Sequence, residues 1–388
     1  MKVMMVAGEA SGDMHGAHLA KALRAEDPGV TLFGMGGTKM EEAGVRLLYN
    51  PTASSAMGFL EVLKNVQVLR RVLARLGRTL AEEAPDVLVL IDFPEFNMRL
   101  AELAKDQNVP AVYYFSPSAW AWRKGRAKTI ARQGATVCAV FPFEADVYRE
   151  AGAKVEFVGH PLVDTAKPAL SRDEARKEFG CIDRDPVIAL LPGSRKQEID
   201  GHVQTMAQAA EKILAEHPRA AFLLALAHTV ERSRVEELLG GRVPVTIVDG
   251  RVYDVLAASD AAIAVSGTVT LEAALIGTPV VVVYKASLSM YMIAKAMYKL
   301  PWIALPNIVA GRWVVDELLQ ADFNPDTIAA KVEELLTPER RSEVLKGYQE
   351  VRERLGGPGA ARRAAQTILR IGAERGSAQS RKGRNGAP

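Results

Sequence analysis

A chain of 388 residues with 48% hydrophobic and 24% charged residues is long enough for two domains with packed cores, and global disorder is excluded. The formal net charge is +3, but residues 371–388 hold four basic residues and one acidic, which leaves the rest of the chain balanced at 45 of each. A wholly basic nucleic-acid-binding domain is thereby disfavoured. The two cysteines, Cys138 and Cys181, have neither CxxC spacing nor a framework, so no disulfide scaffold or cysteine zinc site is expected and a reducing cytoplasm fits. The opening residues 1–13 read as a first strand and not as a signal peptide. The most apolar region, 273–308, is broken by Pro279, Lys285, Lys295, Lys299 and Pro301, short of the run of about 20 apolar residues a membrane span needs.

Short β-branched runs alternate with helical-period segments along nearly the whole chain, which predicts an α/β fold of two doubly wound, Rossmann-like domains with parallel sheets and a cleft between them. The first half places strands at 2–7, 31–35, 87–92, 111–116, 137–141 and 156–160. The second places them at 187–192, 221–227, 245–249, 261–266, 279–284 and 303–306. The border is expected within Pro161–Leu170, with the first domain taken to residue 165, after the Gly159-His160-Pro161 turn, because two prolines and a change of pattern fall there. The second domain then runs over 166–355. Residues 356–372 form a last helix that packs back on the first domain, and 373–388 form a disordered basic tail.

The first strand runs into Gly8-Glu9-Ala10-Ser11-Gly12-Asp13. Gly8 and Gly12 let this turn approach a ligand closely, and the amides at the helix start can face an anion. The alternative is an ordinary strand–helix turn with Ser11 as its cap. It is not a GxGxxG fingerprint, which demotes a nicotinamide enzyme. His15 and His18 lie one helical turn apart, but without a third ligand a metal site is not expected.

Segment 59–80 reads as a basic amphipathic helix. Val62, Val66, Leu69, Leu73, Leu76 and Leu80 make a core stripe opposite Lys64, Arg71, Arg75 and Arg78. Phe59, Leu60, Leu63 and Val68 fall off that stripe beside arginines, where they could dip into a bilayer surface.

Val87–Ile91 is a wholly apolar strand with Asp92 at its carboxyl end, where open α/β sheets place their ligands. Asp92, beside Phe93 and Phe96, can serve as a general base toward a hydroxyl; capping the next helix is the alternative role at the same junction. Ser116, Trp122 and Arg123 follow another strand. Between Gln107 and Phe143 there is no acidic residue, while Arg123, Lys124, Arg126, Lys128 and Arg132 cluster. This local positive patch suits a phosphate-bearing ligand or an anionic membrane surface, with a solvated basic helix as the plain alternative.

In the second half, Gly193-Ser194-Arg195 ends a strand with a hydroxyl and a guanidinium able to neutralise a diphosphate leaving group. Ser266-Gly267-Thr268 opens a helix whose start can hold phosphate, and Glu272, one turn in, can accept two ribose hydroxyls. Asp183-Arg184-Asp185 has a metal-site form but precedes a strand, so it reads as a surface turn, and neither metal nor cofactor is expected.

At these residues the chain resembles the lipid-A-disaccharide synthases, inverting GT-B-type glycosyltransferases of Gram-negative bacteria. The likeness is carried by VAGEASGD (6–13), MGFLEVL (57–63), LIDFPEFN (90–97), SPSAWAWR (116–123), FVGHPLVD (157–164), LLPGSRKQEI (190–199), the stretch 259–285 with its SGTVTLE core, and LPNIVAGR (305–312). The resemblance implies condensation of UDP-2,3-diacylglucosamine with 2,3-diacylglucosamine 1-phosphate to the β-1,6-linked disaccharide 1-phosphate and UDP. By position it makes Asp92 the base, puts Ser194 and Arg195 on the diphosphate, Gly267, Thr268 and Glu272 on the phosphate and ribose end, and Asn307 and Arg312 on the donor side. Glu9, Ser11, Gly12, Ser116, Trp122 and Arg123 fall on the acceptor side. The family also implies a peripheral position on the cytoplasmic face of the inner membrane, with Phe59, Leu60, Leu63 and Val68 in contact, and is compatible with a homodimer that swaps C-terminal segments. Other UDP-sugar enzymes of the same fold, such as a UDP-N-acetylglucosamine epimerase, and a non-catalytic lipid- or nucleotide-sugar-binding protein are the alternatives.

Overall fold

The computed structural model describes residues 1–51, 66–117, 124–287, 291–292 and 300–384. It divides into two compact units, one of residues 1–161 and 356–388, the other of residues 162–355.

Unit 1 begins with β1 (Lys2–Ala7), α1 (Ala10–Glu26), β2 (Thr31–Met35), α2 (Thr38–Glu42), β3 (Arg46–Tyr49) and α3 (Val66–Glu83). It continues with β4 (Val87–Ile91), α4 (Pro94–Asp106), β5 (Ala111–Tyr114), α5 (Lys124–Gln133), β6 (Thr136–Ala139), α6 (Pro142–Glu150) and β7 (Lys154–Phe157). The strands form one parallel sheet in the order β3-β2-β1-β4-β5-β6-β7. Because side chains alternate across a strand, Met4, Val6, Leu88 and Leu90 bury into a core on one face with Leu76 and Leu100. Val3, Met5, Val87 and Val89 bury into the other with Leu19 and Leu23. Burial on both faces is why these strands read as unbroken apolar runs.

Unit 2 starts with α7 (Leu162–Thr165), α8 (Arg172–Glu178), β8 (Val187–Leu191), α9 (Lys196–Glu216), β9 (Ala221–Leu226), α10 (Arg232–Leu239) and β10 (Val245–Asp249). Then come α11 (Val252–Ala258), β11 (Ala261–Val265), α12 (Thr268–Ile276), β12 (Val280–Tyr284), α13 (Leu305–Ala310), β13 (Glu317–Leu319), α14 (Pro325–Leu336) and α15 (Pro338–Arg354). Its sheet is again parallel, ordered β10-β9-β8-β11-β12-β13. The chain then returns to unit 1 as α16 (Ala360–Arg384). There Ala364, Ala365 and Ile368 join the core beneath β1, and Arg362 and Gln366 reach Glu26 at 2.7 and 3.0 Å.

Three expectations are corrected. Residues 303–306 are not a strand: the Glu317 carboxylate accepts from the Ile303 and Ala304 amides, and Pro306, with no N–H to lose, sits in the first turn of α13. The short strands β3 and β13 were not expected. The break between the units falls after Pro161, at the start of the stretch 161–170 where the border is expected. Residues 373–384, expected in a disordered tail, continue α16 to Arg384, and 385–388 lie outside the described residues.

Candidate functional site

In unit 1 the carboxyl end of β4 turns sharply into α4. Asp92 and Phe93 both hold positive φ, 53° and 50°, which costs non-glycine residues about 1–2 kcal/mol each. Asn97, itself buried, holds the turn by donating to the carbonyls of Asp92 at 2.6 Å and Ile91 at 3.3 Å, and the Asp92 amide donates to Phe115 O at 3.2 Å. Gly8 is required beneath it, since a Cβ there would fall 2.2 Å from the Phe93 ring. Gly12 is buried, and a Cβ on it would meet the Ile91 carbonyl at 3.4 Å and Asp92 Cβ at 3.6 Å.

These packings aim Ser11 at the carboxylate: its Oγ donates to Asp92 Oδ2 at 3.0 Å, while Oδ1 accepts from the Phe93 amide at 3.0 Å. Glu9 and not Ser11 holds the cap position of α1, and Phe93 and not Asp92 holds that of α4. Asp92 is half-buried and Ser11 exposed, so the carboxylate is oriented yet reachable, as a general base toward a hydroxyl must be. Asp13 plays a different part, accepting from the Gly37, Lys39 and Met40 amides and so fastening α2.

Ser116 lies at the carboxyl end of β5, where its hydroxyl donates to Glu144. Burial pushes the Glu144 carboxyl up to about 6, against the opposing hydrogen bonds from Ser116 and the Val140 and Phe141 amides. His15 stacks on Phe115 with ring centroids 3.7 Å apart, and His160 meets Phe115 and Phe141 edge-on and tilted. Burial, then His18, lowers His15 to about 4; burial, then His15, lowers His160 to about 3. This histidine–phenylalanine cluster was not foreseen, because its members come from segments far apart in the sequence.

Trp122, Arg123, Phe59, Leu60 and Leu63 lie outside the described residues. Val68, expected at a membrane, is half-buried and packs against the unit 1 core. Val66, expected in the core stripe, is 57% exposed.

In unit 2 a cavity of about 800 Å³ opens at the carboxyl ends of β8, β9 and β11. Its lining brings together Ser194, Arg195, Gly267, Thr268 and Glu272 from two separate sequence motifs. Gly193 holds φ +102°, and Thr229 Oγ1 pins the turn by donating to Ser194 O at 2.6 Å. The Glu198 carboxylate, set inside the first turn of α9, accepts from the Ser194 and Arg195 amides at 2.9 and 3.2 Å and from the Arg195 guanidinium at 2.8 Å. Opposite, Tyr253 donates to Glu272 at 3.0 Å, and burial raises the Glu272 carboxyl despite that bond. A guanidinium, two helix starts and a partly buried carboxyl acceptor in one concave space suit an anionic ligand that also carries hydroxyls. Glu198 was signalled only by its place three residues into the helix, and nothing in the sequence marked Tyr253.

Asn307 and Arg312 do not line this cavity. The Asn307 amide is fully used: it donates to Val315 O and Glu317 at 3.0 and 2.9 Å and accepts from the Val314 and Val315 amides at 2.7 and 2.9 Å. Arg312 pairs with Glu350 at 2.7 Å. The exposed turn at Asp183–Asp185 precedes β8, as expected.

Two parallel-sheet units of this order define the GT-B-like fold class. The structure is similar to UDP-GlcNAc 2-epimerase from Neisseria meningitidis bound to UDP-GlcNAc, with TM-score 0.65 and 14% identity over 95% of this chain and 100% of that one. It is also similar to Acinetobacter baumannii MurG, with TM-score 0.59 and 14% identity over 95% and 99%. At these identities the likeness shows the fold alone. The lipid-A-disaccharide synthetase family model matches residues 3–371, and the chain belongs to that family. It is 42% identical to the lipid-A-disaccharide synthase of Trichlorobacter lovleyi over 373 residues, 95% of this chain and 97% of that protein. It is also 42% identical to the synthase of Myxococcus xanthus over 372 residues, with the same shares.

Proposed function

We propose that this chain condenses UDP-2,3-diacylglucosamine with 2,3-diacylglucosamine 1-phosphate, giving the β-1,6-linked disaccharide 1-phosphate and UDP with inversion. The observation that carries this reading is the 42% identity that spans almost the full length of the synthases.

The chemistry needs a single base and a stabilised leaving group. Asp92, held by Ser11, takes the proton of the acceptor hydroxyl as its oxygen attacks the anomeric carbon. The bond from that carbon to the diphosphate breaks, and UDP leaves against Arg195 and Ser194. Gly267 and Thr268 face its phosphate end, and Glu272 accepts from the ribose hydroxyls. Glu9, Gly12, Ser116, Trp122 and Arg123 serve the acceptor side. Asn307 acts at one remove, by holding the chain that follows α13, and Arg312 through its pair with Glu350.

We also infer peripheral attachment to the cytoplasmic face of the inner membrane of a Gram-negative cell. Among the described residues no helix is long and apolar enough to cross a membrane. Arg70, Arg71, Arg75 and Arg78 of α3 stay exposed, a basic face suited to anionic lipid. Leu60 and Leu63 supply the apolar contact, while Val68 packs on the unit 1 core. A homodimer through C-terminal segments is compatible with this reading.

The test is UDP release with synthetic acylated donor and acceptor. Release that requires both is expected; epimer formed from UDP-N-acetylglucosamine alone, with no transfer, overturns the reading.

A further inference from the structure

The turn after β8 holds a carboxylate beside the place the proposed function gives to a diphosphate. One Glu198 oxygen accepts from the Ser194 and Arg195 amides, the other from the Arg195 guanidinium. The two partners are held very differently. The Glu198 side chain is 14% exposed and that of Arg195 81%.

Glu198 is also fixed by its surroundings. A Cβ on Gly193 would lie 2.3 Å from its Oε2, so the carboxylate fills that side of the turn. His202 Nε2 accepts from the Lys285 amide at 3.0 Å, which leaves Nδ1–H to donate to the Glu198 carbonyl at 2.7 Å. The exposed guanidinium can leave at little cost, because an ion pair with one partner facing solvent is weak.

We propose that Glu198 is a positioning residue for the leaving group: it holds Arg195 at the cavity, yields it to the diphosphate when the nucleotide sugar binds, and takes it back as UDP departs. The exchange rests on the reading of this cavity as the UDP site. One oxygen of Glu198 stays on the two amides throughout, so the turn keeps its shape while the guanidinium changes partner. An internal carboxylate and a diphosphate thus compete for one cation. The competition lowers UDP affinity below what the cavity alone would give, which speeds product release.

The experiment is calorimetric titration of UDP into the full chain and into E198Q, R195A and the double variant. The glutamine oxygen still accepts from the two amides, but its NH₂ group faces Arg195 and no longer holds it. E198Q is expected to bind UDP about two- to five-fold more tightly, the range that an exposed ion pair allows, and to lower the donor KM without raising kcat. In the R195A background the same substitution should bring no tightening. If Glu198 served only to cap the helix, E198Q would bind UDP no better and melt lower, which overturns the proposal. Tightening that persists without Arg195 overturns it as well, since general repulsion would then suffice. Should E198Q not fold, E198D withdraws the carboxylate from Arg195 while keeping its charge, and the same tightening is required of it. A wild-type chain that binds no UDP overturns the reading of the cavity and this proposal together; a wild-type chain that binds while E198Q is unchanged overturns the exchange alone.

Discussion

The backbone turns left-handed at both proposed reaction elements, but unit 1 does so with Asp92 and Phe93 and unit 2 with Gly193. Glycine enters this region without steric cost, and in unit 2 the functional groups are the Ser194 and Arg195 side chains that follow it. In unit 1 the strained residue is itself the functional one. Its strain of about 1–2 kcal/mol per residue is offset by Asn97, by the bond to Phe115 O and by the space that Gly8 leaves for the Phe93 ring. The difference teaches that unit 1 spends rigidity on aiming one carboxylate, whereas unit 2 keeps an exposed cation able to move.

The largest effect expected from that contrast is at the rigid element. Asp92→Asn keeps the shape of the turn and an acceptor for Ser11 but removes the base. Turnover should fall by about 10²–10⁴-fold, the usual share of general-base catalysis, while UDP affinity measured by calorimetry stays at the wild-type value. A near-normal rate of UDP release would take Asp92 out of the base role.

Arg195→Ala probes the mobile element and should show the reverse pattern. A hydrogen bond to a charged group is worth about 1.5–3 kcal/mol, so UDP should bind roughly 10- to 100-fold more weakly, with the fold of unit 2 unchanged by circular dichroism. Unaltered UDP binding would refute the assignment of the diphosphate to this turn.

Sequence alone made part of this contrast legible. Asp92 stood out because a parallel strand buried on both faces is apolar throughout, so a carboxylate at its carboxyl end has no packing reason to be there. Arg195 and Glu272 stood out by their places at helix starts. What stayed hidden depends on partners distant in the chain. Asn307 sits in a motif beside Arg312, yet its amide serves Val314, Val315 and Glu317, and those bonds exist only once β13 has paired with β12. The strand expected at 303–306 failed for the same reason, its amides being claimed by a carboxylate more than ten residues away. Val68 shows the limit of helical periodicity: it lies off the expected stripe but still packs on the core, because the buried arc of α3 is centred on Val72, Leu76 and Leu80 and is wider than one row of leucines.

The smallest effect tests how firmly unit 1 is built around its aimed carboxylate, through the pH dependence of its stability. Burial holds His15 at about 4 and His160 at about 3, well below the unfolded value near 6.5. Their contribution is therefore complete above pH 6.5 and is lost as the pH falls through the folded values. Burial moves Glu144 the other way, up to about 6, so its contribution is complete below about pH 4.5 and is lost as the pH rises through 6. Between pH 4.5 and 6 His15 and His160 oppose Glu144, a net of about one proton or roughly 1.4 kcal/mol per pH unit, and His18, also lowered by burial, adds to this rise of stability with pH. Glu144→Gln removes the opposing group, so the slope in that window should steepen by about one further proton, roughly 1.4 kcal/mol per pH unit. Hydrogen exchange of the β1 and β4 amides in the full chain reads this within unit 1. A slope left unchanged by Glu144→Gln would mean that Glu144 is ionised across the window, and that its bonds from Ser116, Val140 and Phe141 outweigh its burial.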